Sequence, residues 1–274
     1  MSGASSPYLI RGCLLPKGGV GADQGYVTAD VVIADGRIAE VTSEALQERS
    51  VAGYTVVDGT NKLLLPGLHN AHTHSNNFFA KGAIAPLPLE MMVATRVGLP
   101  ADHPSHPKPS EDELVRRYRV GACRTGLSTL LSGGTSLIDM ITLPDTGDEE
   151  LTMRCLKAAA DGYCSTGIRC FLGPHLNDSA EGTFTANFMG VPPPGCVLPP
   201  GLKGLAEDGS PRIERPAMDP VRTSAALAFW RRAIAELHQT QSDKLSIILA
   251  PHNEATCSKE LFAGNICRPR PSSE

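Results

Sequence analysis

Leu65-Pro66-Gly67-Leu68-His69-Asn70-Ala71-His72-Thr73-His74 moves from an apolar entry to a polar end within a single short stretch. It reads as a strand that delivers polar side chains at its C-terminal tip. Side chains at i and i+2 of an extended segment share a face, so His72 and His74 can reach one ion. Neutral imidazole suits zinc, iron and similar metals. With eight histidines in the 274-residue chain, a His-x-His pair arises readily by chance, so its meaning depends on what surrounds it. His69 has the opposite parity and reads as structural or exposed.

Upstream the grammar is that of a small β unit. Residues 8–13, 29–34, 37–41 and 54–57 are short apolar runs separated by glycine turns. Asp35-Gly36 between the second and third is a hairpin signal. The glycines between Lys17 and Asp23 lack the Lys-Ser/Thr ending of a phosphate loop and read as a turn. Downstream, strand and helix alternate. Ser110 followed by Glu111-Asp112-Glu113 starts a helix that runs to about 131, where Gly133-Gly134 stops it. Further strands are expected at 135–141, 167–173 and 245–250, with helices at 148–163 and from Asp219-Pro220 to about 239. Four strands alternating with helices imply a parallel α/β layout. Residues 84–110 form an irregular Pro- and His-rich excursion. Residues 176–217 form a Pro/Gly-rich insertion long enough to serve as a lid or specificity loop.

The polar and titratable residues gather at strand ends: His72 and His74, then Asp139, His175, His252 and Glu254. In parallel α/β barrels that rim is where sites are built. Asp139 alone reads as a structural hydrogen-bonding group, and His175 as either a loop residue or part of the site lining.

Composition narrows the classes. The chain is 41% hydrophobic and 20% charged, which excludes disorder for the whole. A formal net charge of −4 argues against nucleic acid or an anionic membrane as partner. No apolar run approaches the length of a membrane span. The N-terminal residues show no secretory signal, and the eight cysteines are scattered without zinc-ribbon spacing. Free thiols and a cytoplasmic location are the expectation. Asn177-Asp178-Ser179 matches a glycosylation pattern that carries no meaning without secretion.

Taken together, these motifs resemble the amidohydrolase superfamily. The Asn-Ala-His-Thr-His form at 70–74, with Lys81-Gly82 after it, looks like the aminohydrolase branch that contains guanine deaminase, S-adenosylhomocysteine deaminase and triazine hydrolases. Ser132-Gly-Gly-Thr-Ser-Leu-Ile-Asp139-Met140 looks like that branch's second barrel strand. Ala250-Pro251-His252 with Thr256-Cys257-Ser258 looks like its fourth. The resemblance implies an α/β chain that is the first half of a metal-dependent (β/α)8 barrel, preceded by a small β-sandwich segment. The boundaries expected are 1–62 for that segment, 63–261 for the first four barrel strands and 262–274 for an irregular tail.

It also implies a hydrolase of non-peptide carbon–nitrogen bonds that deaminates a purine- or triazine-like ring with a metal-bound hydroxide. The implied cofactor is one divalent metal ion, zinc first, with iron or manganese as alternatives. By position His72 and His74 are its ligands, while His252 and His175 face the substrate, a small nitrogen heterocycle. The family's fifth-strand histidine, acid/base glutamate and eighth-strand aspartate have no counterpart in this sequence, so no catalytic acid/base is assigned. The 24 residues after Ala250 are fewer than the about 30 that one βαβ unit needs. The expectation is therefore a C-terminally truncated barrel, inactive alone. The alternative is a half-barrel pseudoenzyme serving as an interaction module, with a homodimer as its expected soluble form.

Overall fold

In a computed structural model the described residues are 7–18, 25–43, 53–82, 109–144, 147–179, 202–205, 211–213, 218–252 and 257–263. The chain divides into two compact units, Met1–Gly67 and Leu68–Glu274.

The first unit holds β1 (Tyr8–Pro16), β2 (Tyr26–Ala34), β3 (Arg37–Thr42) and β4 (Thr55–Asp58). They form one sheet in the order β3-β2-β1-β4, antiparallel except for the parallel β1–β4 pair. The sheet is mixed because β4 returns to pair with β1 at its free edge. The Asp35-Gly36 turn has φ of 51° and 72°, the left-handed pair that a tight hairpin requires. β1 bulges between Ile10 and Cys13, where the Gly12 N–H donates to Asp30 Oδ1 at 2.7 Å. Leu9, Cys13 and Val31 are buried beneath this sheet. Leu63 bridges to Leu14, and the Leu64 N–H donates to Leu14 O at 2.9 Å. Those bonds tie 63–65 to the first unit, which extends to Gly67.

The second unit begins with β5 (Leu68–Thr73) and a 3₁₀ turn at Ser75–Ala80. It continues through α1 (Glu111–Leu131), β6 (Gly134–Ile141), α2 (Glu149–Thr166) and β7 (Arg169–Leu176). Then follow β8 (Leu202–Leu205), β9 (Pro211–Ile213), α3 (Pro220–Leu237), β10 (Leu245–Ile247), β11 (Ala250–Pro251) and α4 (Lys259–Ala263). The sheet runs β10-β7-β6-β5 with every pair parallel, and β11 extends the pairing along β7. This is the strand–helix repetition of an open arc of a (β/α) barrel.

The helices start where the sequence places hydroxyl or carboxylate caps. Ser110 Oγ accepts from Glu113 N at 3.2 Å, Asp148 Oδ1 from Glu150 N at 2.9 Å and Asp219 Oδ1 from Val221 N at 2.9 Å. α2 ends at Gly167, whose φ of 74° favours glycine. The core lies between the sheet and its helices. Leu137, Ile141 and Leu172 from the strands meet Leu156, Ala159, Tyr163, Ala233 and Leu237 from α2 and α3. α2 crosses α1 at Gly162, where a Cβ would strike Arg119 O and lie 3.0 Å from both Ala122 Cβ and Cys123 N.

Two details differ from the sequence reading. The fourth barrel strand, expected as one run over 245–250, parts into β10 and β11 opposite Gly173. A Cβ there would lie 2.7 Å from Ala250 Cβ and 3.1 Å from Ile248 Cγ1, so the two backbones crowd and the ladder breaks. The 176–217 insertion is not wholly irregular, since β8 and β9 pair antiparallel within it and Ser179 bridges to Met218 at its base. The rest of that insertion, where a lid was expected, lies outside the described residues, as do the 84–108 excursion and the tail beyond 263. Among the described residues no helix is long and apolar enough to cross a membrane.

Candidate metal centre

β5 does not run as an ideal strand. The side chain of Asn70 accepts the His72 N–H at 3.2 Å, and the ladder with β6 shifts between Asn70 and Thr73. That local turn brings the two imidazoles together at the strand tip. His72 Nε2 and His74 Nε2 lie 3.0 Å apart, with ring centroids separated by 4.7 Å. His74 Nδ1 lies 2.6 Å from Met140 O. A carbonyl can only accept, so Nδ1 carries the proton and Nε2 keeps its lone pair. An imidazole anchored through its other nitrogen is the usual arrangement of a metal ligand.

The donor set can be tested against a divalent ion. Two nitrogens held about 2 Å from one tetrahedral zinc lie about 3.3 Å apart. The observed 3.0 Å separation and the fixed tautomer of His74 fit that requirement.

His74 and His175 have ring centroids 5.4 Å apart, and His175 and His252 follow at 4.8 Å. Four histidines from β5, β7 and the end of β11 thus form one continuous line. His175 Nδ1 lies 3.1 Å from Thr142 Oγ1. The His252 N–H donates to Leu176 O at 2.9 Å, which seats it beside β7. Burial, followed by the nearby His252, His74 and His72, pushes His175 down to about 3. Burial, then His74, also lowers His252. Both rings are therefore neutral at physiological pH. Among the described residues no three His, Cys, Asp or Glu side chains converge on one ion, so His175 and His252 extend the site without closing around the pair. Beside His175 lies a cavity of about 430 Å³, lined among others by Thr142, Asp148, Arg222 and Phe229.

His69 sits apart, its Nδ1 2.6 Å from Ser136 Oγ. Glu254 lies outside the described residues. Asp139 is fully buried and accepts from Ser75 N at 3.0 Å, Ser75 Oγ at 2.5 Å and Tyr163 Oη at 2.8 Å. Burial pushes its carboxyl up, against the opposing pull of the Ser75 and Tyr163 bonds and of His74.

The sequence reading missed a second carboxylate, Asp178, also fully buried. It accepts from Ser258 N at 2.8 Å, Ser258 Oγ at 2.5 Å and Thr223 Oγ1 at 2.6 Å. Ser258 Oγ in turn accepts from Leu261 N at 3.0 Å and so caps α4. Asp178 and Ser258 lie 80 positions apart, so no local pattern in the sequence pointed to the pair.

A parallel arc with histidines at its strand tips is part of a (β/α) barrel. No family model matches the sequence. Among curated relatives, the chain is 28% identical to the 5'-deoxyadenosine deaminase of Methanothermobacter thermautotrophicus, over 87% of this chain and 41% of that one. It is 32% identical to the 5-methylthioadenosine/S-adenosylhomocysteine deaminase of Thermococcus kodakarensis, over 88% of this chain and 42% of that one. Among solved structures, guanine deaminase from C. acetobutylicum aligns over 94% of this chain and 49% of its own, with a TM-score of 0.55 and 16% identity. Atrazine chlorohydrolase from Arthrobacter aurescens TC1, complexed with zinc, aligns over 94% and 49%, with a TM-score of 0.60 and 20% identity. The chain belongs to the amidohydrolase superfamily, in its aminohydrolase branch. It spans about half the length of the relatives it matches.

Proposed function

We propose that this chain carries the first metal ligands of an aminohydrolase that hydrolytically deaminates a purine- or triazine-like ring. The observation that carries the reading is the His72–His74 pair, with Nε2 atoms 3.0 Å apart and His74 locked by Met140 O. His72 and His74 would hold one divalent ion, zinc by the chemistry of the donors. When bound, such an ion supplies the Lewis acidity that brings the pKa of water toward neutrality. The relatives named as deaminases of adenosine derivatives, and the zinc-complexed structural neighbour, support this reading.

The chain's own residues do the positioning. Met140 O keeps the proton of His74 on Nδ1, away from the ion. Neutral His175 and His252 offer hydrogen bonds to a ring nitrogen or exocyclic group without adding positive charge to the site. The cavity beside His175 falls within the range typical of small-molecule sites.

A second reading rests on β5. Its first five residues are all exposed, unusual for a strand of a parallel sheet, and Leu68 is 65% exposed. Such a strand receives further strands, from more of the same barrel or from a second copy, and the chain would then be a half-barrel interaction module. One experiment separates the two. The purified chain is supplied with zinc, and ammonia release from 5'-deoxyadenosine and guanine is measured beside sedimentation velocity. Ammonia release that needs both zinc and His72 supports the enzyme. Bound zinc and a dimer without ammonia support the module. A chain that holds no zinc contradicts the proposed function.

A further inference from the structure

Asp139 and Met140 are consecutive residues of β6, and they grip His74 and Ser75, consecutive residues leaving β5. Met140 O takes the ring proton of His74 at 2.6 Å. Asp139 Oδ1 takes the Ser75 N–H at 3.0 Å, and Oδ2 takes the Ser75 hydroxyl at 2.5 Å. Asp139 also stands directly opposite Thr73 in the sheet register. We propose that Asp139 is a positioning residue for the His72/His74 metal site, acting through Ser75 to fix the backbone that aims both imidazoles. The proposal rests on the reading of those histidines as ligands.

Three features set this carboxylate apart from a generic buried acid. Every partner it has is a donor, so its oxygens act only as acceptors, and two of those donors come from one residue. Ser75 is also closed off from behind: a Cβ on Gly121 of α1 would lie 2.8 Å from Ser75 O. The residue after the ligand His74 is thus fixed by a carboxylate on one side and a helix backbone on the other. β5 has little support from side-chain packing, since its residues through His72 are exposed. A ligand pair on so exposed a strand depends on its neighbour's grip for orientation, and outer groups of this kind typically govern metal affinity.

Tyr163 provides the control. Its hydroxyl, from α2, donates to the same Oδ2 at 2.8 Å and also interacts with the Ser75 side chain. Tyr163→Phe removes that hydroxyl while leaving both Asp139–Ser75 bonds in place. Asp139→Asn substitutes an amide, whose NH₂ faces donors. Ser75→Ala keeps the carboxylate and loses the hydroxyl bond.

The test is the affinity of the full chain for zinc alone, by competition with a chromophoric chelator, beside a thermal melt of each variant. Asp139→Asn should weaken zinc binding about tenfold to a hundredfold, and Ser75→Ala should weaken it less but in the same direction. Tyr163→Phe should lower the melting temperature and leave zinc affinity unchanged. Should Asp139→Asn fail to fold, Ser75→Ala against Tyr163→Phe decides by the same contrast. Unchanged affinity in Asp139→Asn, or equal weakening in Tyr163→Phe, overturns the positioning role. If the unaltered chain binds zinc through His72 and Asp139→Asn binds it as well, only this inference fails. If the unaltered chain binds none, the ligand assignment fails with it.

Discussion

β5 and β7 are parallel strands of the same sheet, and each ends in a site histidine, yet they are built in opposite ways. β7 buries five of its eight residues, with Leu172 and Cys170 completely enclosed. β5 buries none of its six. His175 on β7 is held neutral by burial and by its neighbours, whereas His72 on β5 is exposed. Stability of the second unit therefore resides in β6, β7 and the helices over them, while the proposed ligand pair rides on a strand that contributes little to the core. The proposed metal pair on such a strand can be altered without loss of the fold, and the core can be damaged without touching the pair's chemistry.

The most severe way to test that contrast is Leu172→Ala. Leu172 is fully buried, and its truncation should cost about 2–5 kcal/mol of unfolding free energy, read from urea denaturation. Leu68→Ala on β5 should cost less than about 0.5 kcal/mol, as expected of an exposed position. Comparable losses at the two sites would erase the distinction between the strands.

Gly162→Ala probes the helices that cover β6 and β7. The new methyl meets Arg119 O, Ala122 and Cys123 across the α1–α2 crossing, so overpacking should cost about 1–3 kcal/mol. A neutral result would show that α1 is free to shift and that the crossing is not fixed by close backbone approach.

Ser258→Ala should cost about 1–2 kcal/mol, since it removes both a helix cap and a bond to the buried Asp178. It should leave zinc binding untouched, because the described bonds of Ser258 reach Asp178 and Leu261 and neither His72 nor His74. Zinc loss in this variant would mean that the two carboxylate–serine pairs are coupled.

Much of this division could be read in the residues. The Asp35-Gly36 hairpin, the caps at Ser110, Asp148 and Asp219, and the His-x-His pair are local signals, with partners a few residues away. What escaped the sequence is nonlocal. Ser75 and Asp139 are 64 positions apart, and Asp178 and Ser258 are 80 apart, so no local pattern links them. The role of Asn70 was hidden by reading β5 as regular, since its side chain is what bends the strand. The parting of β10 from β11 follows from the missing side chain at Gly173, seen only once the strands are side by side. The β8–β9 pair escaped notice within a stretch whose composition argued for irregular chain.

The central claim is that the exposed strand, and not the buried one, holds the metal. Elemental analysis of the chain after zinc loading and exhaustive dialysis tests it most directly, with His72→Ala and His252→Ala compared to the unaltered protein. The account predicts zinc in the unaltered chain and in His252→Ala, and its loss in His72→Ala with the melting temperature of the metal-free protein unchanged. Zinc retained by His72→Ala, or lost from His252→Ala, would contradict it.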